Sequence, residues 1–288
     1  MVWLLLCIIS YIGIFLVFKL IDTKKAPLLN CVIINYLTAT ILGFTAGGNY
    51  TTSDIFSANW IPLGVILGIL FIATFLLVGV SSKESGLGIT TLASKMSLVI
   101  PMLFAIICYN ESTSLPKISA IIMAVVAVSL CSYKPSGTNK ASNWKKIAIP
   151  IVLFLAMGLN DSLVVFAQKH YNITDDSAIF TATLFGISLI CGISLACIKK
   201  ETLRGFLNIK SWIFGILLGS FNFGSVYFVI ETMNRNIIAT SKIYGICNTT
   251  TVLLAIIIGR IFFKEKLTKL NLAGAVLAII SVAILGIE

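Results

Sequence analysis

The chain has 288 residues, 58% hydrophobic and only 11% charged, with a formal net charge of +10. A soluble domain carries about 25% charged residues, so a globule with a wholly water-facing surface is excluded. Seven cysteines without CxxC spacing and a lone His170 give no basis for a metal centre, and no cofactor motif is present.

Apolar runs of about 20 residues, each long enough to cross a bilayer, recur along the whole length. The first span, 2–21, lacks a charged leader and a small-residue cleavage site, so it reads as a membrane helix rather than a signal peptide. The second, 28–48, carries Asn35, Tyr36 and Thr38. The third, 60–80, spaces Gly64 and Gly68 for close helix packing. The fourth, 87–109, contains "TTLASKMSLVIP", which puts Lys95 inside the membrane and Pro101 six residues later. The fifth, 118–133, has no mid-membrane charge and should face lipid or a second subunit. The sixth, 147–167, holds Asp161 in "MGLNDSLVV"; the seventh is 177–198. The eighth, 211–230, carries Gly215, Gly219, Asn222, Ser225 and Tyr227. The ninth, 238–263, carries Lys242, Tyr244, Asn248 and Thr251; the tenth, 270–287, again has no mid-membrane charge. Every backbone group in lipid must be satisfied within its own segment, so the expected class is an all-α polytopic membrane protein of ten helices.

An even number of spans puts both termini on one side. Loops 1–2, 3–4, 5–6, 7–8 and 9–10 then hold fourteen basic residues, and the terminus side holds Lys117, Lys169 and Arg235. The positive-inside rule places the five basic loops in the cytoplasm and both termini outside. The net charge is thereby accounted for without nucleic acid. A ratio of 18 lysines to 3 arginines points to a bacterial source, hence an inner membrane.

The chain also repeats. "ESTSLPKISAIIMAVVAVSL" (111–130) parallels "EKLTKLNLAGAVLAIISVAI" (265–284), with Glu111, Ala124 and Val128 matching Glu265, Ala278 and Val282. The unit is five spans, so the second copy inserts upside down, as in many secondary transporters. The predicted organisation is a first five-helix repeat over 1–133, a cytoplasmic linker over 134–146 and a second repeat over 147–288, around a central cavity lined mainly by spans 1, 3, 4, 6, 8 and 9.

Ten short spans in two halves, each with an acidic loop before its last helix ("NESTSLPK", "KEKLTK") and a small-residue helix after it, resemble the EamA-type transporters of the drug/metabolite transporter superfamily. The segment "FKEKLTKLNLAGAVLAIISVAIL" carries the resemblance best; the first half departs from it at Asn110-Glu111 and Ser119-Ala120. The resemblance implies a permease, not an enzyme, which moves a small organic metabolite by alternating access without ATP. Many members keep both termini in the cytoplasm, and the charge count here points the other way.

Ionisable groups inside a bilayer cost about 2.5–3.5 kcal/mol each on insertion scales and mark functional sites by default. Counting 1.5 Å per residue, Lys95 lies ~12 Å from the cytoplasmic face, Asp161 ~9 Å and Lys242 ~6 Å from the outer one. Asp161 and Lys242 therefore fall at similar depth and are expected to pair. Lys95 has no acidic residue at its level, which leaves it for a carbonyl, water or an anionic or zwitterionic solute. The substrate-binding candidates are Lys95, Asp161, Lys242, Asn222, Tyr227, Asn248 and Asn35. Pro101 cannot donate to the Ser97 carbonyl, so a kink with a freed carbonyl at Ser97 is expected, a candidate gate. Each candidate also has a bland reading: Lys242 as a snorkelling lysine, Asp161 as a buried acceptor, Pro101 as a packing kink, the amides as interhelical glue. The partners implied are the solute, the lipid bilayer, a coupling proton and a second copy in a homodimer. The alternative is a membrane protein that transports nothing, either an intramembrane enzyme or a scaffold.

Overall fold

The computed structural model describes residues 2–46, 58–109, 114–132, 140–171, 177–198, 200–234, 240–265 and 268–287. All regular structure among them is helical. In chain order the helices are α1 (Val2–Thr23), α2 (Leu28–Ala46), α3 (Ile61–Glu84), α4 (Leu87–Met96), α5 (Val99–Tyr109), α6 (Leu115–Ser132), α7 (Lys140–Tyr171), α8 (Ser177–Ile198), a short α9 (Lys200–Arg204), α10 (Ile209–Asn234), α11 (Thr240–Ile261) and α12 (Lys269–Ile287). Each predicted span falls on a helix, the fourth being divided between α4 and α5. Among the described residues seven segments are long and apolar enough to cross a membrane, and shorter apolar stretches lie in α6, α11 and α12. Many large side chains, such as Ile107, Leu155, Ile190 and Ile257, are exposed on the helix surfaces. Water would penalise that surface; lipid does not. The protein is an integral membrane protein.

The helices pack through small residues. The Ala120, Ala124 and Ala127 side of α6 meets the Ala275 and Ala278 side of α12, and Ser281 donates to the Ala120 carbonyl at 2.7 Å. Both helices expose their opposite faces, as expected for lipid-facing elements, but their packing on one another is not foreseen from the sequence. Helices α1 and α2 both pack on α10, while α7 and α8 both pack on α3. The glycine spacings serve these contacts. A methyl at Gly215 would lie 2.5 Å from Ile34, one at Gly219 2.6 Å from the Asn35 carbonyl, and one at Gly68 2.5 Å from Ile187. Gly64 makes only ordinary contacts.

Two local features differ from expectation, and a third was not anticipated. Helix α7 starts at Lys140, inside the predicted linker, because 140–149 contains no glycine or proline to stop it. The fourth span breaks at Ser97–Leu98, one turn before Pro101. The missing proline N–H does orphan the Ser97 carbonyl from its normal partner, but that carbonyl is not free: the Ile100 N–H donates to it at 2.9 Å. A tighter turn thus absorbs the proline's effect. Finally, α4 begins at Gly86 with φ +99°, a conformation that favours glycine. Glu111, the repeat mate of Glu265, lies outside the described residues.

Candidate functional site

Helix α4 carries Lys95 in its last turn and packs against α1, α7 and α11. The helix is lined with hydroxyls. Ser81 and Thr90 share a hydrogen bond at 2.8 Å, Thr90 and Thr91 donate to the Gly86 and Leu87 carbonyls, and Ser97 Oγ donates to the Ser94 carbonyl at 2.6 Å. Met96 and Leu92 are buried, which fixes the rotation of the helix. The Lys95 ammonium is thereby placed 3.2 Å from the centre of the Tyr11 ring on α1. An ammonium over an aromatic face is attracted by the ring quadrupole, most strongly where water is scarce.

Asp161 is an acidic group near Lys95. Successive helix residues point about 100° apart, so α7 turns its two polar neighbours to different partners. Asn160 is buried and donates to Thr74 Oγ1 on α3 at 2.7 Å. Asp161 is exposed, on the side where Gly158 is packed by Ile100 of α5. The expectation that Lys95 has no acid at its level is therefore wrong. Residue counting assumes straight spans normal to the bilayer; here the fourth span is broken just beyond Lys95. Among the described residues the two charges form no direct ion pair. They lie near each other, and neither makes a hydrogen bond to another described side chain.

Two thiols complete the surroundings of Lys95. Cys7 and Cys247 are both fully buried, with their sulfurs 3.6 Å apart, and lie near the Lys95 side chain. Cys7 and Tyr11 are one turn apart on α1, so they share a face. The thiols join α1 to α11 in a small apolar cluster with Leu4, Ile8, Val229 and Ile243.

The remaining candidates disperse. Asn222 donates to Asn35 Oδ1 at 3.2 Å, and both are almost fully buried, so this pair bridges α2 and α10. The Asn35 amide nitrogen has no partner among the described residues. Tyr227 stacks on Phe223 with centroids 5.4 Å apart and sits edge-on to Trp3 at 6.5 Å, near the start of α1. Asn248 is buried beside Cys247 on α11. Lys242 belongs to the first turn of α11, but its side chain, like that of Tyr244, lies outside the described residues, so its expected pairing with Asp161 is not defined. The structure thus brings together Lys95 and Asp161, and adds Tyr11, Cys7 and Cys247. Sequence reasoning missed these three because an aromatic and two thiols in apolar helices look like packing. The signal was the i, i+4 spacing of Cys7 and Tyr11 on a helix expected to line the centre.

Residues 147–287 match the model of the EamA-like transporter family. A Haemophilus influenzae protein described as uncharacterized is 24% identical over 281 residues, covering 96% of this chain and 94% of its own length. A solved structure described as a crystal structure of a protein aligns with a TM-score of 0.47 and 11% identity, over 96% of this chain and 97% of that one.

Proposed function

We propose, from the match of residues 147–287 to the EamA-like transporter family model, that the whole chain is a secondary carrier for a small organic metabolite with an anionic group. The proposed architecture is ten spans in two inverted halves. Its support is the way contacts exchange between halves. Where α1 packs on α10, the equivalent α7 packs on α3; where α2 packs on α10, α8 packs on α3. The equivalent pairs α2–α8, α4–α11 and α6–α12 also pack on each other. Such reciprocity suits a carrier that presents one site alternately to two faces.

The observation that carries the substrate class is the open relation of Lys95 and Asp161. A lysine held over Tyr11, near a carboxylate with which it makes no direct ion pair, can donate to an anionic oxygen of a solute. A solute that also carries an amine would meet Asp161. The coupling ion we assign is a proton, with Asp161 as the group that competes for Lys95. Orientation follows the charge count, with the five basic loops in the cytoplasm. A second copy would pack against the exposed faces of α6 and α12.

Uptake of a metabolite panel into proteoliposomes, under an imposed pH gradient, tests the reading. Transport of an organic acid or amino acid that vanishes in Lys95→Ala is expected. Unchanged uptake of every transported solute in that variant would remove Lys95 from the site.

A further inference from the structure

The second charged cluster lies at the other end of α4. Glu265, in the segment between α11 and α12, receives the Leu87 N–H on Oε1 at 2.7 Å and the Gly88 N–H on Oε2 at 3.4 Å. These are the first N–H groups of α4, which have no partner within the helix. The same carboxylate pairs with Lys19 of α1, Nζ to Oε1 at 2.9 Å, and Lys19 also donates to the Ser82 carbonyl at 3.4 Å. Both side chains are nearly enclosed, at 12% and 13% exposure. Three glycines make room. A methyl at Gly86 would lie 2.9 Å from the Glu265 carboxyl and one at Gly259 2.8 Å from its Oε2, while one at Gly88 would press on Ile256 at 3.3 Å. The Glu265 N–H in turn donates to the Gly259 carbonyl at 3.0 Å, which fixes the acid relative to α11.

We infer that Glu265 is a positioning residue that latches one face of the protein: it ties the second half of the chain to α1 and to the start of α4, and so closes the way to Lys95 from the face that carries Lys83 and Lys264. Three features support this. The contact spans the two halves, so any relative motion of the halves must break it. It acts on the helix that bears Lys95, eight residues or ~12 Å away along α4. And its parts come from three places in the sequence, which an ordinary helix cap would not need. Opening this face requires Glu265 to leave both Lys19 and the α4 N-terminus. The inference rests on the carrier reading for its purpose, but its geometry can be tested without any solute.

The native cysteines are the reporters. Cys197 and Cys108 are exposed near the last turns of α8 and α5, which end on opposite faces in the ten-span arrangement, while Cys247 is buried beside Lys95. Vesicles holding the full chain are treated from one face at a time with a membrane-impermeant maleimide, and each site is read by mass spectrometry. Labelling of Cys197 marks vesicles that present the latch face. In those vesicles Glu265→Gln, Lys19→Met and Gly86→Ala are each expected to speed Cys247 labelling about fivefold or more, the change one charge-assisted contact makes to a two-state population. Labelling from the opposite face is expected to slow or stay the same. Lys19→Met leaves the Glu265 contacts to the backbone in place, so it remains testable if Glu265→Gln folds poorly. Cys247 labelling at the wild-type rate in all three variants, with Cys197 labelled normally, overturns the latch. Faster labelling in a protein that carries no solute upholds the latch and overturns the carrier reading; unchanged labelling in a protein that carries solute overturns the latch alone.

Discussion

Helix α4 has a charged cluster at each end, and the two are built differently. At its start, Glu265 has a direct ion pair and two backbone donors, and its surroundings are cut to fit by glycines. At its end, Lys95 has an aromatic ring beneath it and a nearby carboxylate with which it makes no direct ion pair among the described residues. A charge with its contacts complete holds structure together. A charge placed deep in the membrane with contacts left open incurs a desolvation cost that only a further partner can offset. The difference assigns a mechanical role to one end and a binding role to the other.

The sharpest way to break this contrast is at Lys95. Lys95→Ala is expected to reduce uptake by about 100-fold, the upper range for losing a hydrogen bond to a charged group, with the folded protein retained. Asp161→Asn, measured in the same assay, is expected to cost about 10-fold, because it removes one influence on Lys95 and keeps the shape. At the other end the order reverses, with stability affected more than binding. Glu265→Ala leaves Lys19 without its partner and is expected to cost about 3 kcal/mol of stability, read as a lowered unfolding temperature in detergent. Lys19→Met, where Glu265 keeps its backbone donors, is expected to cost about 1–2 kcal/mol. Asn222→Ala breaks only the bridge to Asn35 and should cost about 0.6 kcal/mol, typical of interhelical hydrogen bonds in membranes. Its uptake should be unchanged; a loss of uptake would return Asn222 to the binding site.

The helices were legible because length and hydrophobicity suffice in a bilayer. Lys95 and Asp161 stood out for the same reason: an ion in an apolar run is conspicuous. Their relation was not legible. Depth counted along a straight helix separated them, and the break at Ser97–Leu98 is a three-dimensional response to Pro101 whose hydrogen bonding a one-dimensional count does not contain. The asparagines misled in the opposite direction. Asn35 and Asn222 looked available, but nothing in either local sequence says that α2 and α10 bring them together. Glu265 was visible only as a mark of the repeat. Its use depends on the positive φ of Gly86 and on contacts between residues 178 and 246 positions apart, which no local pattern encodes.

The break at Ser97–Leu98 also has a bearing on hydration. Where a helix loses a rung, backbone groups and small hydroxyls become available to water even at mid-membrane. Ser94 Oγ is buried with no partner among the described residues, and it sits one residue before Lys95. A single ordered water there would join the hydroxyl to the backbone at the break. Such a water would give a proton or a solute oxygen a polar step into an otherwise oily helix, and amides around the break should exchange with deuterium well before those on either side of it.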